Sequence, residues 1–255
     1  MTPEARALYL HKLRAFAIHI GISAVVFTSV IAILVARWYP GPYFWIDGGL
    51  YVMTVAAFVD IGLGPSITLA VYRPRAPRMR AILAAIGLAQ LAALGGGVHL
   101  LYEYRPLAVA FVGAPRNEFF PITRAMLKEA RLPDGLTQGA RERPALIVVE
   151  MPTDPAETRR LLMAGLTGGT TLWQRTDLYR PAEGEWRSRM LAEGARNERR
   201  IEAVHKENAK RVRDFVAAHG GRFDDFLFVP LNARYGRGFL VFARQDGRLI
   251  DTIRM

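Results

Sequence analysis

Three runs of apolar residues, each as long as a bilayer is thick, occupy the first hundred or so positions of this chain and fix the class of structure it can form. Span one is read from Phe16 to Trp38, span two from Gly49 to Tyr72, and span three from Met79 to Tyr102. A hydrocarbon core about 30 Å thick needs roughly 20 helical residues at about 1.5 Å each, because lipid offers an open backbone no hydrogen-bond partner. A buried helix of a soluble domain would carry a polar stripe at this length, and these runs carry none. The first run exceeds the apolar core of a signal peptide, and Arg37-Trp38-Tyr39-Pro40 lacks the small residues of a cleavage site, so an uncleaved anchor is expected.

The apolar share is 51% and the charged share 22%, so the two kinds of residue must be segregated along the chain. The division falls near Arg105. Residues 1–105 form the expected transmembrane module, and residues 106–255 are enough for one soluble domain with its own core. The formal charge of +11 does not point to nucleic acid: nine of the 34 Lys and Arg precede Pro106, where they flank apolar spans beside only four acids. The pattern fits membrane topology and an anionic lipid surface, and no basic stretch is interleaved with stacking aromatics. The absence of cysteine excludes disulfides, thiol nucleophiles and zinc-thiolate sites.

Arg6, Lys12 and Arg14 precede span one, and Arg73, Arg75, Arg78 and Arg80 lie between spans two and three with no acid among them. By the positive-inside rule the N-terminus and this second loop are cytoplasmic, which places residues 106–255 outside the cytoplasm. The first loop is aromatic (Trp38, Tyr39, Tyr43, Phe44, Trp45), with Pro40 and Pro42 stopping span one and Gly48-Gly49 opening span two. It reads as an interfacial hairpin or, alternatively, a partner-binding edge.

Ala81, Ala85, Ala89, Ala93 and Gly97 recur every fourth residue of span three and form a small-residue stripe of the kind that lets helices pack closely in lipid, against another span or another protein. Asp60 lies inside span two, where an ionisable group is costly unless paired, protonated or hydrated. Counting inward from the arginines places Asp60, Gln90 and His19 on the cytoplasmic side, as a polar clamp within the bundle or as a partner contact or proton-linked step. Gly62, Gly64 and Pro65 are expected to interrupt the helix beside Asp60.

Beyond Arg105, Leu107–Val112 and Ala145–Val149 read as strands flanking a helical pattern from Ile122 to Leu132, a β-α-β unit with parallel strands. A helix with Asp154 as N-cap covers 155–164, and a Gly-, Thr- and aromatic-rich loop covers 165–181. A long helix runs from Glu183 to His219, with Ile201, Val204, Asn208, Val212 and Phe215 on one face, and Gly220-Gly221 ends it. Strands follow at 226–231, 238–243 and 249–253, the last two joined through Asp246-Gly247. The expected class is a membrane protein with three transmembrane α-helices followed by a soluble α/β domain with a mixed sheet.

No catalytic constellation assembles from this domain. Its one serine, Ser188, has no nucleophile elbow, and its histidines are His205 and His219 alone. The loop from Gly165 to Thr171 lacks the lysine of a phosphate cradle, Asp224-Asp225 alternates sides in a strand entry, and the basic stretch from Arg187 to Arg213 reads as a solvated or docking face. No cofactor, metal or nucleic acid is expected.

Several stretches together resemble the TfpX/TfpZ type IV pilin accessory proteins: Leu13–Ile20 opening span one, Trp38–Gly49, Val59–Leu69, Gln90 with its following glycines, Tyr104–Pro106, and Phe228–Leu231 near the end. The resemblance is nearly continuous in the membrane half and thin beyond Arg105. It implies an inner-membrane protein with a periplasmic domain that helps a cognate pilin, major or minor, accumulate or assemble, without enzymatic activity. It carries over motif positions only, His19, Trp38, Pro40, Asp47, Asp60, Pro65 and Gln90, and no catalytic residue. The alternative is a membrane-anchored enzyme that modifies a pilin or an envelope glycan, and a third is a small transporter or sensor subunit.

Overall fold

Three helices long and apolar enough to cross a membrane lie where the hydrophobic runs place them: Pro3–Trp38, Gly49–Val71 and Met79–Tyr104. The computed structural model describes residues 2–39, 41–114, 116–127, 132, 136, 144–167, 172, 175–195 and 209–255. The first span is α1 (Pro3–Trp38), the loop after it holds the short helix α2 (Tyr43–Ile46), and the third span is α5 (Met79–Tyr104). The second is α3 (Gly49–Ala57), a π-helical turn (Phe58–Leu63) and α4 (Gly64–Val71). The expected interruption is this π turn. Pro65 has no N–H to give to the preceding turn, and the Ser66 hydroxyl donates to the Gly62 carbonyl at 2.7 Å.

The chain divides into two units that do not follow the expected boundary at Arg105. One holds residues 1–37 and 49–102; the other holds residues 38–48 with 103–255. The aromatic loop between spans one and two therefore belongs to the sheet domain. Tyr39, Tyr43, Phe44, Ile46 and Asp47 are all buried there, so the loop packs into the sheet domain instead of standing as a separate hairpin. The physical reason is that its rings and Ile46 cover one end of the sheet, a pairing distant in sequence that local composition does not reveal.

The sheet has seven strands in the order β4-β3-β1-β2-β5-β6-β7. They are β1 (Pro106–Val112), β2 (Glu118–Thr123), β3 (Ala145–Val149), β4 (Tyr179–Pro181), β5 (Phe226–Asn232), β6 (Arg237–Ala243) and β7 (Leu249–Arg254). β1 and β3 are parallel as expected. Between them, however, Ile122 lies in β2, which returns antiparallel beside β1, and the helix α6 begins only at Arg124 (Arg124–Leu127). The expected loop at 165–181 is also corrected. Helix α7 runs through Thr167 (Pro155–Thr167), and Tyr179–Pro181 pairs antiparallel with β3 at the sheet edge, too short a strand for alternation to show. Asp154 caps α7 by accepting from the Ala156 N–H at 2.9 Å.

Register places Val109, Phe111, Phe119, Val148, Val229, Leu231, Leu240 and Phe242 on one face, where α8 (Gly184–Ala195) packs; Gly194 lies against Val229, with no room for a larger side chain. The opposite face carries Ala108, Ala110, Val112, Ile122, Ile147 and Val149 over Leu161 of α7. Further along it, Phe226, Phe228, Phe239 and Val241 pack on Val212 and Phe215 of helix α9, residues 209–218. Burial on both faces explains why the strands read as continuous apolar runs. Gly220, at φ 66°, ends α9 as expected. Pro40, Ile201, Val204, His205, Asn208, residues 168–171 of the glycine loop and the middle of the basic stretch lie outside the described residues.

Candidate functional site

Within the membrane unit the three expected polar residues meet. The Gln90 carboxamide Nε2 donates to the backbone carbonyl of Asp60 at 2.8 Å, an acceptor in the π turn. Gln90 Oε1 is 2.8 Å from His19 Nε2, and His19 Nδ1 is 2.7 Å from Thr68 Oγ1. Thr68 is a member of this cluster that reading the sequence missed, because nothing in the composition of a span marks one threonine among apolar neighbours. Gly64 makes the arrangement possible, since a Cβ there would collide with the Gln90 side chain. Pro65 is buried beside it. Asp60 is the middle residue of the 23-residue helical segment Gly49–Val71.

The Asp60 carboxylate is the part of this cluster that remains uncommitted. The residue is 5% exposed, and Oδ1 is buried with no hydrogen-bond partner among the described residues. It borders a cavity of about 200 Å³ lined by His19, Ile22, Ser23, Val26, Gly87, Gln90, Leu91 and Leu94. The expected small-residue stripe is not part of this cavity. Ala81, Ala85, Ala89 and Ala93 are exposed, on the far side of α5 given the roughly 100° turn per residue, and Gly97 alone packs inward, 3.6 Å from Ala56 when its Cβ position is considered.

In the sheet domain, the motif residues of the first loop build a second arrangement. The Tyr235 N–H donates to the Ile46 carbonyl at 2.9 Å, and Gly236, in the turn between β5 and β6, lies directly against Ile46. The Tyr43 hydroxyl bonds the Thr252 side chain, Arg254 stacks on Trp45 at 5.8 Å, and Arg105 stacks on Trp38 at 5.8 Å. Burial raises both the Tyr39 and Tyr43 hydroxyls above the ordinary tyrosine range.

Asp47 sits at the centre of that junction, 4% exposed, with Oδ2 lacking a partner among the described residues. Burial pushes its carboxyl up to about 6, against the opposing pull of the Arg234 backbone N–H and guanidinium. Arg234 itself stacks on Tyr104 at 4.9 Å and Tyr235 at 5.3 Å. Because β2 and β5 pair at one register position, Phe119 opposite Leu231, a cleft of about 560 Å³ opens beyond it, bordered by Asp47, Tyr104, Phe120, Pro121, Met126, Asn232 and Arg234.

The remaining candidates are spent locally. Asp225 accepts from the Arg222 N–H at 2.6 Å, Ser188 donates to the Gly184 carbonyl at 3.3 Å, and His219 bonds the Phe215 carbonyl at 2.9 Å while stacking on its ring. Among the described residues no group of three or more His, Asp or Glu side chains is placed to hold a metal ion. Comparisons with protein-family models, with curated proteins and with solved structures find no match for the chain.

Proposed function

We propose that this chain is a non-enzymatic inner-membrane accessory factor, chaperone-like in action, that holds a cognate type IV pilin before polymerisation, with its N-terminus cytoplasmic and its sheet domain periplasmic. One observation supports this reading above the others. The residues that carry the resemblance to the TfpX/TfpZ proteins are used in two junctions, His19, Asp60, Pro65 and Gln90 in the membrane unit and Trp38 and Asp47 in the sheet domain, and not in a converging set of acids, bases and nucleophiles. A pilin subunit has an apolar helix in the membrane and a globular head outside it. A holder needs a surface in each layer, with apolar packing to seat the helix and shape and charge in the sheet domain to select the head.

The test is co-purification from detergent with the neighbouring pilin as bait, joined to the pilin's steady-state level in cells lacking this protein. Recovery of the pair and a fall in pilin are expected. Removing residues 106–255 should abolish discrimination between pilins. Unchanged pilin levels and no recovery would contradict the proposal.

A further inference from the structure

On α1, His19, Ile22, Ser23 and Val26 follow one another at the spacing of a single helix face, and on α5 Gly87, Gln90, Leu91 and Leu94 repeat that spacing. The two stripes wall a groove with Asp60 bordering it from the second span. His19 is engaged through both ring nitrogens, Gln90 donates to the Asp60 carbonyl, and the Ser23 hydroxyl lies 3.5 Å from Gln90 Nε2 with no bond to Asp60 Oδ1. What is left is a buried acceptor, Asp60 Oδ1, at the middle of a span. Acyl chains have no donor to give it, and all three spans of the chain already contribute to the cluster. A donor from outside the chain reaches the middle of a span when another apolar structure carries it there, which is what a membrane helix with one polar side chain does.

We propose that the α1–α5 groove is a docking site for a single membrane-spanning helix of a partner, whose hydrogen-bond-donating side chain enters beside Gly87 and is received by the Asp60 carboxylate. This rests on the reading of the chain as a holder of a membrane helix and names the chemistry of the seat. Gly87 is the point of entry because nothing lies within 4 Å of where its Cβ would be, so its missing side chain is open groove. Exposed Ile22 and Leu91 form the rim, apolar surface for the partner's helix to lie on.

The test uses the full chain in lipid nanodiscs with a labelled 23-residue leucine peptide carrying one central glutamine, and the all-leucine peptide as control, binding being read by energy transfer. The glutamine peptide should bind roughly 3- to 30-fold tighter, the range of a hydrogen bond between membrane helices. Asp60→Leu should remove that preference. Gly87→Leu, which fills open space and leaves the protein's own unfolding unchanged, should remove binding of the glutamine peptide. Equal binding of the two peptides, a preference that survives Asp60→Leu, or binding indifferent to Gly87→Leu in a folded protein would each overturn the assignment. In cells, pilin that depends on the protein but not on Gly87 overturns the groove and leaves the accessory role standing. Glutamine preference in nanodiscs with pilin indifferent to the protein supports the groove and overturns the accessory role.

Discussion

Tyr235 donates its backbone N–H to the carbonyl of Ile46 at 2.9 Å, and this bond joins the turn after β5 to a segment bracketed by two membrane spans. Ile46 is fully buried against Gly236, and the Tyr43 hydroxyl reaches Thr252 of β7. The loop is thus a structural part of the sheet domain, tied to its C-terminal hairpin at the backbone and through side chains.

Truncating this junction should destabilise the sheet domain in proportion to what is lost. Ile46→Ala removes a fully buried side chain and is expected to cost about 2–5 kcal/mol. Tyr43→Phe loses one hydrogen bond and should cost about 1 kcal/mol. Thermal unfolding of the full chain in detergent, followed by near-ultraviolet circular dichroism of the aromatic side chains, measures both. An unchanged transition in Ile46→Ala would contradict the docking of the loop.

Asp47 should give the domain an unusual pH response. Its carboxyl binds a proton more readily folded, at about 6, than at the ordinary 3.8 of the unfolded chain. The charged form is therefore a penalty that is complete above pH 6, is relieved as pH falls from about 6 towards 4, and is absent below. The full difference is on the order of 3 kcal/mol. Asp47→Asn should raise stability at pH 8 and have little effect at pH 4; the difference between wild type and variant isolates this residue from other carboxylates. A variant that is less stable at pH 8 and unchanged at pH 4 would show the opposite linkage.

The membrane cluster should tolerate no side chain at position 64. Gly64→Val forces the Gln90 carboxamide out of its bonds to His19 and the Asp60 carbonyl, with an overpacking cost of about 1–3 kcal/mol. Gly64→Ala combined with Gln90→Ala should cost less than the two single changes added, because the colliding group is gone. Unfolding in mixed micelles at increasing denaturing detergent measures these costs, and strict additivity would contradict the contact.

Orientation follows from the arginines. A reporter active only outside the cytoplasm should work when fused after Met255 and fail when inserted near Ala76, between Arg75 and Arg78. The reverse pattern would overturn the placement of the sheet domain.

Much of this architecture is legible in the amino-acid sequence for a physical reason: lipid demands long uninterrupted apolar helices, and strands buried on both faces are continuous apolar runs. The meeting of His19, Asp60 and Gln90 was foreseeable because polar groups in a bundle seek one another. The role of Thr68 was not, nor was the burial of Tyr43 and Ile46, since each depends on a neighbour far along the chain. β4 escaped notice because Tyr179–Pro181 has only the sheet edge to define it, and β2 because Phe119, Phe120, Pro121 and Ile122 are all apolar and show no alternation of polar and apolar residues. The alanine stripe of span three has helical periodicity but faces outward, which periodicity alone does not distinguish from inward packing.

The most direct measurement is photo-crosslinking in living cells with a reactive side chain in place of Leu91 at the groove rim, a second in place of Arg189 on α8, and a control in place of Ala85 on the opposite side of α5. Covalent capture of the pilin from Leu91 and from the sheet domain, weak from Ala85 and lost at Leu91 when Gly87→Leu is added, is the expected result. Pilin levels that depend on this protein with no pilin captured from Leu91 or Arg189 would contradict direct holding and require an indirect role.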